Sequence, residues 1–242
     1  MSRYSSKKAQ QGFSLVELMI AMLLGLLLLV GVVNLFLGSS QTYRLQEALF
    51  RVQESGRFAL DIIQRDLLNA GFQNVVSNSA QVRPRNKGIT AVRGFVNDTG
   101  IPAGFVRNGS TSEILRINFN DNPDPGGVDE VYYYLAPDVS GESALYRNMN
   151  AVVEGIEELV IEYGVDTSGD RRADVYRRSN LVNVAAWSNV VSVRVSMVVS
   201  GGGDGVVETA QTLPAPHAAF DTSDRRMYQV FTMTVSLRNK TS

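Results

Sequence analysis

Residues 11–37 read QGFSLVELMIAMLLGLLLLVGVVNLFL. After Gly12 this run carries a single charge, Glu17, and no further charge appears until Arg44. A helix needs about 20 consecutive apolar residues to cross a bilayer at about 1.5 Å rise per residue, so the run is long enough to span. Glu17 then lies where a charge is least welcome. An unpartnered carboxylate within an apolar helix costs about 2.5–3.5 kcal/mol on insertion scales, so it either reaches back to the headgroups or has a partner.

Arg3, Lys7 and Lys8 precede the run. Basic residues mark the cytoplasmic flank, which places the bulk of the chain across the inner membrane. A secretory signal would show a core of about 7–15 apolar residues and then a small-residue cleavage site. Here the core is longer and no A-x-A follows it, leaving only Gly38-Ser39-Ser40 as a substitute.

The segment Gly12-Phe13-Ser14-Leu15-Val16-Glu17, behind its short basic leader, resembles the class III signal of type IV prepilins. The resemblance implies that a prepilin peptidase cuts after Gly12 on the cytoplasmic side and methylates Phe13. It also implies that Glu17, fifth in the mature chain, pairs with the N-terminal amine of a neighbouring subunit, which would supply the buried charge with its partner.

Composition bounds the remainder. About 200 residues follow the apolar run, enough for one sizeable domain with its own core. The formal charge is −1, and taking the leader's three basic residues from the 23 leaves 20 against 24 acidic. General nucleic-acid binding calls for a strongly basic face, which this balance does not favour. Cysteine is absent, so the exported domain holds without disulfides. The C-terminal disulfide loop of many major pilins is therefore missing, and the resemblance points away from the main filament subunit.

The residues from Gln41 to Ala70 continue as helix with no proline to stop them. Leu45, Leu49, Val52, Gly56, Ala59, Ile63, Leu67 and Ala70 alternate steps of four and three and fall on one face. The other faces carry Arg51, Glu54, Arg57, Asp61, Arg65 and Asp66, with Asp61 and Arg65 spaced as an i,i+4 pair and Gly71 placed as C-cap. Such a helix, from Phe13 to Ala70, measures about 87 Å. Its first half needs lipid or other apolar helices around it, and its second half needs a folded domain on one side.

Residues 73–112 are rich in Asn, Ser, Gly and Thr, with Pro84 and Pro102, and predict irregular loop with one or two short strands. Beyond them, Ile114–Phe119, Glu130–Leu135, Ala144–Asn148, Ile156–Val165, Val190–Ser200 and Met227–Arg238 predict strands between turn clusters. In the last two, apolar residues alternate with Ser192, Arg194 and Ser196 and with Thr232, Thr234 and Ser236, the pattern of an antiparallel sheet with one face on a helix and one in solvent. A long helix followed by such a sheet is an α+β fold. The expected divisions are a leader at 1–12, a membrane or filament-core half at 13–37, an amphipathic half at 38–71 and a periplasmic β-rich domain at 72–242.

Tyr43-Arg44-Leu45, the stretch 53–59, Asp66-Leu67 with Ala70-Gly71-Phe72, Tyr163-Gly164-Val165-Asp166 and Val235-Ser236-Leu237-Arg238-Asn239 are similar to the PilW-type minor pilins of type IV pilus assembly. This implies an assembly subunit of the Gram-negative inner membrane and then of the pilus, in adhesion and twitching motility. Its implied partners are other minor and major pilins, the prepilin peptidase and the inner-membrane assembly platform. Pseudopilins of type II secretion, of the GspJ kind, share the layout, and a membrane-anchored receptor that never enters a filament is the alternative of another class.

Nothing argues for catalysis or a resident cofactor. His217 is the only histidine, so no two-His metal site can form within the chain, and no G-x-S-x-G elbow accompanies it. Gly201-Gly202-Gly203-Asp204-Gly205 lacks the Lys-Ser/Thr ending of a phosphate loop and reads as a flexible connection. Arg171-Arg172, Arg177-Arg178 and Arg225-Arg226 read as solvated faces or subunit contacts. One loop suggests a metal: Asp166, Ser168, Asp170 and Asp174 place oxygens as at the start of a calcium loop. Arg171 stands where that pattern wants glycine and the closing Glu is absent, so a hairpin turn is the competing reading.

Overall fold

The computed structural model describes residues 14–71, 91–96, 102, 104–105, 113–119 and 129–238. One helix, α1 (Leu15–Asn69), runs through 55 residues, while contacts divide the chain into two compact units, Met1–Arg44 and Leu45–Ser242. In the first unit α1 is apolar on every side, and its large side chains from Leu15 to Leu37 are exposed. The one polar turn there satisfies itself, since Thr42 Oγ1 donates to the Gly38 carbonyl at 2.9 Å.

In the second unit α1 buries a narrow stripe of Ala48, Val52, Gly56, Ala59, Ile63 and Leu67. The stripe departs from the expected seam at its start: Leu45 and Leu49 are only half-buried, and Ala48 takes the inner position. Small residues face inward because backbone meets backbone here. A Cβ on Gly201 would lie 2.6 Å from Val52 Cγ2 and 2.7 Å from the Ala48 carbonyl oxygen. One turn on, a Cβ on Gly56 would strike the ring of Phe231. The helix stops as expected at Gly71, which has φ of +73° and donates its N–H to the Asn118 carbonyl at 2.7 Å.

The strands form two antiparallel sheets rather than the single one expected. The first, in order, holds β1 (Val92–Val96), β2 (Glu113–Phe119), β3 (Asp129–Pro137), β4 (Ser143–Arg147) and β5 (Asn150–Glu154). The second has the order β7 (Val175–Arg178), β6 (Ile156–Val165), β8 (Val190–Gly201) and β9 (Met227–Ser236). Gly155 passes the chain between them. At φ of +76° it donates to the Ser143 carbonyl of β4 at 2.9 Å and accepts from Ser200 N–H of β8 at 2.8 Å. The core gathers Val52, Ile63 and Leu67 of α1 with Leu115, Tyr133 and Leu145 of the first sheet and Ile161, Val195 and Met197 of the second.

The solvent face expected for the second sheet is also absent over β8, which is buried along nearly its whole length on both sides. The connection from β8 to β9 folds back over that face, packing Leu213 and Phe220 on Val198, Tyr228 and Val230. The glycine run at 201–205 is therefore a packing device at its first two positions, where Gly201 and Gly202 meet α1, and not only a flexible link.

One polar residue of α1 pins the helix to the first sheet. Asp66 Oδ2 accepts from Tyr133 Oη at 2.5 Å and Arg147 Nε at 2.8 Å, and its Oδ1 accepts from Arg147 Nη2 at 3.3 Å. Tyr133 and Arg147 are direct cross-strand partners in β3 and β4, so a single carboxylate closes the group. Burial, and then Asp66, hold the Tyr133 phenol far above its ordinary range. Asp66, expected on the faces away from the seam, lies beside the buried stripe.

Two outcomes follow from this packing. Gly201→Ala should lower stability by about 1–3 kcal/mol, because overpacking against the Ala48 backbone outweighs the 0.5–1 kcal/mol that alanine otherwise gains over glycine in a strand. An unchanged or higher urea midpoint in detergent would contradict the contact. Asp66→Ala should cost about 1–3 kcal/mol by leaving the buried Tyr133 hydroxyl without its acceptor. Arg65→Ala, which breaks the exposed pair to Asp61 (2.7 Å), should stay within about 0.5 kcal/mol of the parent in the same assay.

Candidate functional site

Of the residues expected to act in assembly, Gly12 and Phe13 lie outside the described residues. Glu17 stands in the first turn of α1, exposed with its apolar neighbours. That turn is closed by Leu18 N–H donating to the Ser14 carbonyl at 3.1 Å. An acidic side chain is favoured there by the free N–H groups of the helix start. Among the described residues no cation pairs with it. The site is thus an apolar helical surface with one carboxylate near its beginning, suited to packing against other apolar helices that bring a positive charge to that level.

The loop from Asp166 to Asp174 joins β6 to β7 as a hairpin, Val165 pairing with Val175. Its carboxylates are turned onto the loop's own amides. Asp166 accepts from Gly169 N–H at 2.6 Å and Arg171 N–H at 2.8 Å, and Asp174 from Thr167 N–H at 2.7 Å and Ser168 N–H at 2.9 Å. These hydrogen bonds hold both carboxyls below their usual range. Asp170 accepts from Arg172 N–H at 2.8 Å. Ser168 hydroxyl oxygen is 3.4 Å from both Asp166 and Asp174. Arg171 adopts φ of +68°, the left-handed turn conformation that glycine would take more cheaply. Among the described residues no three acidic or histidine side chains gather as a metal site.

Sequence reasoning gave no role to His217, yet its ring is buried between two partners. Nε2 lies 2.8 Å from Ser196 Oγ and Nδ1 2.7 Å from Glu158 Oε2. The order Ser–His–Glu is that of a hydrolytic triad, but Ser196 sits mid-strand in β8 at 3% exposure and its Oγ also meets Thr232 Oγ1 at 2.9 Å. No substrate carbonyl can approach a hydroxyl so covered. The trio is a polar staple that ties the 206–223 connection to the sheet. Its signal in the sequence was a lone His flanked by Pro216 and Ala218, which carries no pattern.

Two further charged groups are structural. Glu113, buried at the start of β2, accepts Ile161 N–H at 2.6 Å with Arg178 at 3.8 Å. That amide of β6 falls beyond the reach of β7, which pairs only from Glu162 to Val165. Burial pushes the Glu113 carboxyl up despite this hydrogen bond and Arg178. A groove of about 950 Å³ between α1 and β5 is lined by Arg51, Glu54, Phe58, Glu142 and Arg226. Arg226 is already committed, to Glu157 at 3.1 Å, Ser200 Oγ at 2.8 Å and the Gly202 carbonyl at 3.3 Å. Arg226 is thus an ion-paired member of the fold rather than a solvated face, while Arg178 stays exposed beside Glu113.

Residues 132–239 match the family described as Type IV Pilus-assembly protein W, and residues 7–33 match the prokaryotic N-terminal methylation motif. None of the curated proteins matches the chain. Among solved structures, the type IV-like pilin TTHA1219 from Thermus thermophilus is similar at 14% identity over 79% of this chain and 98% of that one, with a TM-score of 0.48. The first match takes in both sheets from β3 to β9, and the second covers Gly12, Phe13, Glu17 and the first turns of α1. The chain thus joins a long apolar helix bearing that motif to an antiparallel β-domain that is similar, over residues 132–239, to the PilW-type proteins of type IV pilus assembly.

Proposed function

We propose that the chain is a minor pilin, cut after Gly12, methylated on Phe13 and drawn from the inner membrane into the base or tip of a type IV pilus. The observation that carries this reading is the change of surroundings along α1. From Leu45 the helix buries a stripe in its own domain, whereas from Leu15 to Leu37 its apolar side chains have no cover. In the membrane lipid covers them, and in a filament the same half-helix of neighbouring subunits does so. Glu17 then pairs with a neighbour's methylated amine, and the β-domain, on the periplasmic side of a Gram-negative envelope, faces related pilins. The absence of cysteine supports a minor rather than a major subunit.

In this reading Glu17→Ala leaves cleavage and membrane insertion intact and removes the protein from sheared pili. Mass spectrometry of the parent chain should find methylated Phe13 at the N-terminus. A mature start at Met1 or near Ser39, or normal piliation by cells whose only copy is the Glu17→Ala variant, would contradict the proposal.

A further inference from the structure

The second sheet ends in a strand with an open side. Leu237 donates its N–H to the Val191 carbonyl at 2.8 Å, which sets the phase of the ladder. Met227, Gln229, Phe231, Met233 and Val235 therefore turn their backbone groups to β8, and Tyr228, Val230, Thr232, Thr234 and Ser236 turn theirs away. Tyr228 shows the outward direction: its N–H donates to Gln211 Oε1 at 2.8 Å and its carbonyl accepts from Gln211 Nε2 at 3.3 Å. Gln211 closes that one position. Among the described residues nothing pairs with the outward N–H and C=O groups of Val230, Thr232, Thr234 and Ser236.

Exposed sheet edges are ordinarily protected by shortness, charge, proline or a bulge. The other three edges follow that rule. β7 has 4 residues and ends in Arg177 and Arg178. β1 has 5 residues and includes Arg93. β5 has 5 residues, ends in Glu154 and pairs with β4 through an irregular register. β9 is 10 residues long, MYQVFTMTVS, with no charge and no proline. Beside its edge Phe231 and Met233 on the core face and Val230 on the other are half-buried, so an added strand would cover apolar surface on both faces.

We infer that the outer edge of β9 accepts an extended strand from a different pilin-like subunit, by backbone pairing along Val230–Ser236. In the proposed function a minor subunit meets other pilins at this edge, and a parallel two-fold pair with a second copy of this chain is excluded, because it would put the outward-turned residues of both strands directly opposite one another, whereas a parallel ladder staggers them. That the occupant is a pilin rests on the proposed function; that the edge is built to pair does not.

The test uses the full-length chain in its own membrane. Since the protein has no cysteine, Thr234→Cys offers a unique thiol for a photocrosslinker. The product should be a crosslink to a β-strand peptide of another pilin-like subunit. Thr234→Pro deletes an outward N–H that no bond among the described residues uses, and Thr234→Lys places a charge on the edge without touching the backbone. Both should keep the parent's level and processing while co-purification of other pilins falls at least tenfold. Crosslinks confined to a second copy of this chain, or undiminished co-purification with the Lys variant, would overturn the proposal. A crosslink to a strand of a non-pilin protein would uphold the open edge and overturn the pilus reading.

Discussion

The close approach of α1 to the end of β8 is the contact on which the domain depends. It requires small residues from both sides: Ala48 on the helix, Gly201 and Gly202 on the strand and its turn, with Gly56 one turn on making room for Phe231 of β9. With backbone set against backbone, Val52, Ile63 and Leu67 reach into the space between the two sheets, where they are fully buried. Each such side chain contributes about 1.5–3 kcal/mol, a large share of the 5–15 kcal/mol net stability usual for a domain. The helix is therefore the central member of the core that the sheets close upon.

Polar groups complete what the apolar stripe begins. Asp66 fixes α1 to the first sheet, Glu113 ties β2 of that sheet to β6 of the second, and the Ser196, His217 and Glu158 staple holds the β8–β9 connection on the outer face. Each satisfies a buried or half-buried donor that would otherwise lose its hydrogen bond, which is the larger part of its value. None has the access that chemistry on a substrate would need.

Much of this was legible in the sequence because the strongest patterns are long. The apolar run, the four-three spacing on α1 and the alternation in β8 and β9 each extend over about ten residues or more, and the structure has a helix and two strands where they fall. The misses have local causes. β5 and β7 are short, and the four residues of β7 contain two arginines, so neither shows an alternation. The division into two sheets turns on Gly155, which in the sequence is indistinguishable from any turn glycine. The tie made by Asp66 was not read, because periodicity places a residue on a helix face but does not say what stands opposite it. His217 and Ser196 are 21 residues apart and Glu158 is 59 from His217, separations no short motif spans. The proposed assembly site is read from residue type and position alone, at Glu17 and the Gly12-Phe13 junction, and of these the fold places Glu17 in the first turn of α1.

The claim that the amphipathic part of α1 belongs to the domain core has a direct measurement. The chain beginning at Thr42 keeps the whole buried stripe, while one beginning at Phe72 loses it and retains both sheets. Equilibrium urea unfolding of the two should give a soluble, cooperative transition for the first and an insoluble or non-cooperative product for the second. Equal stability of the two would contradict the account, since α1 would then be a stalk beside the sheets instead of the element they are built around.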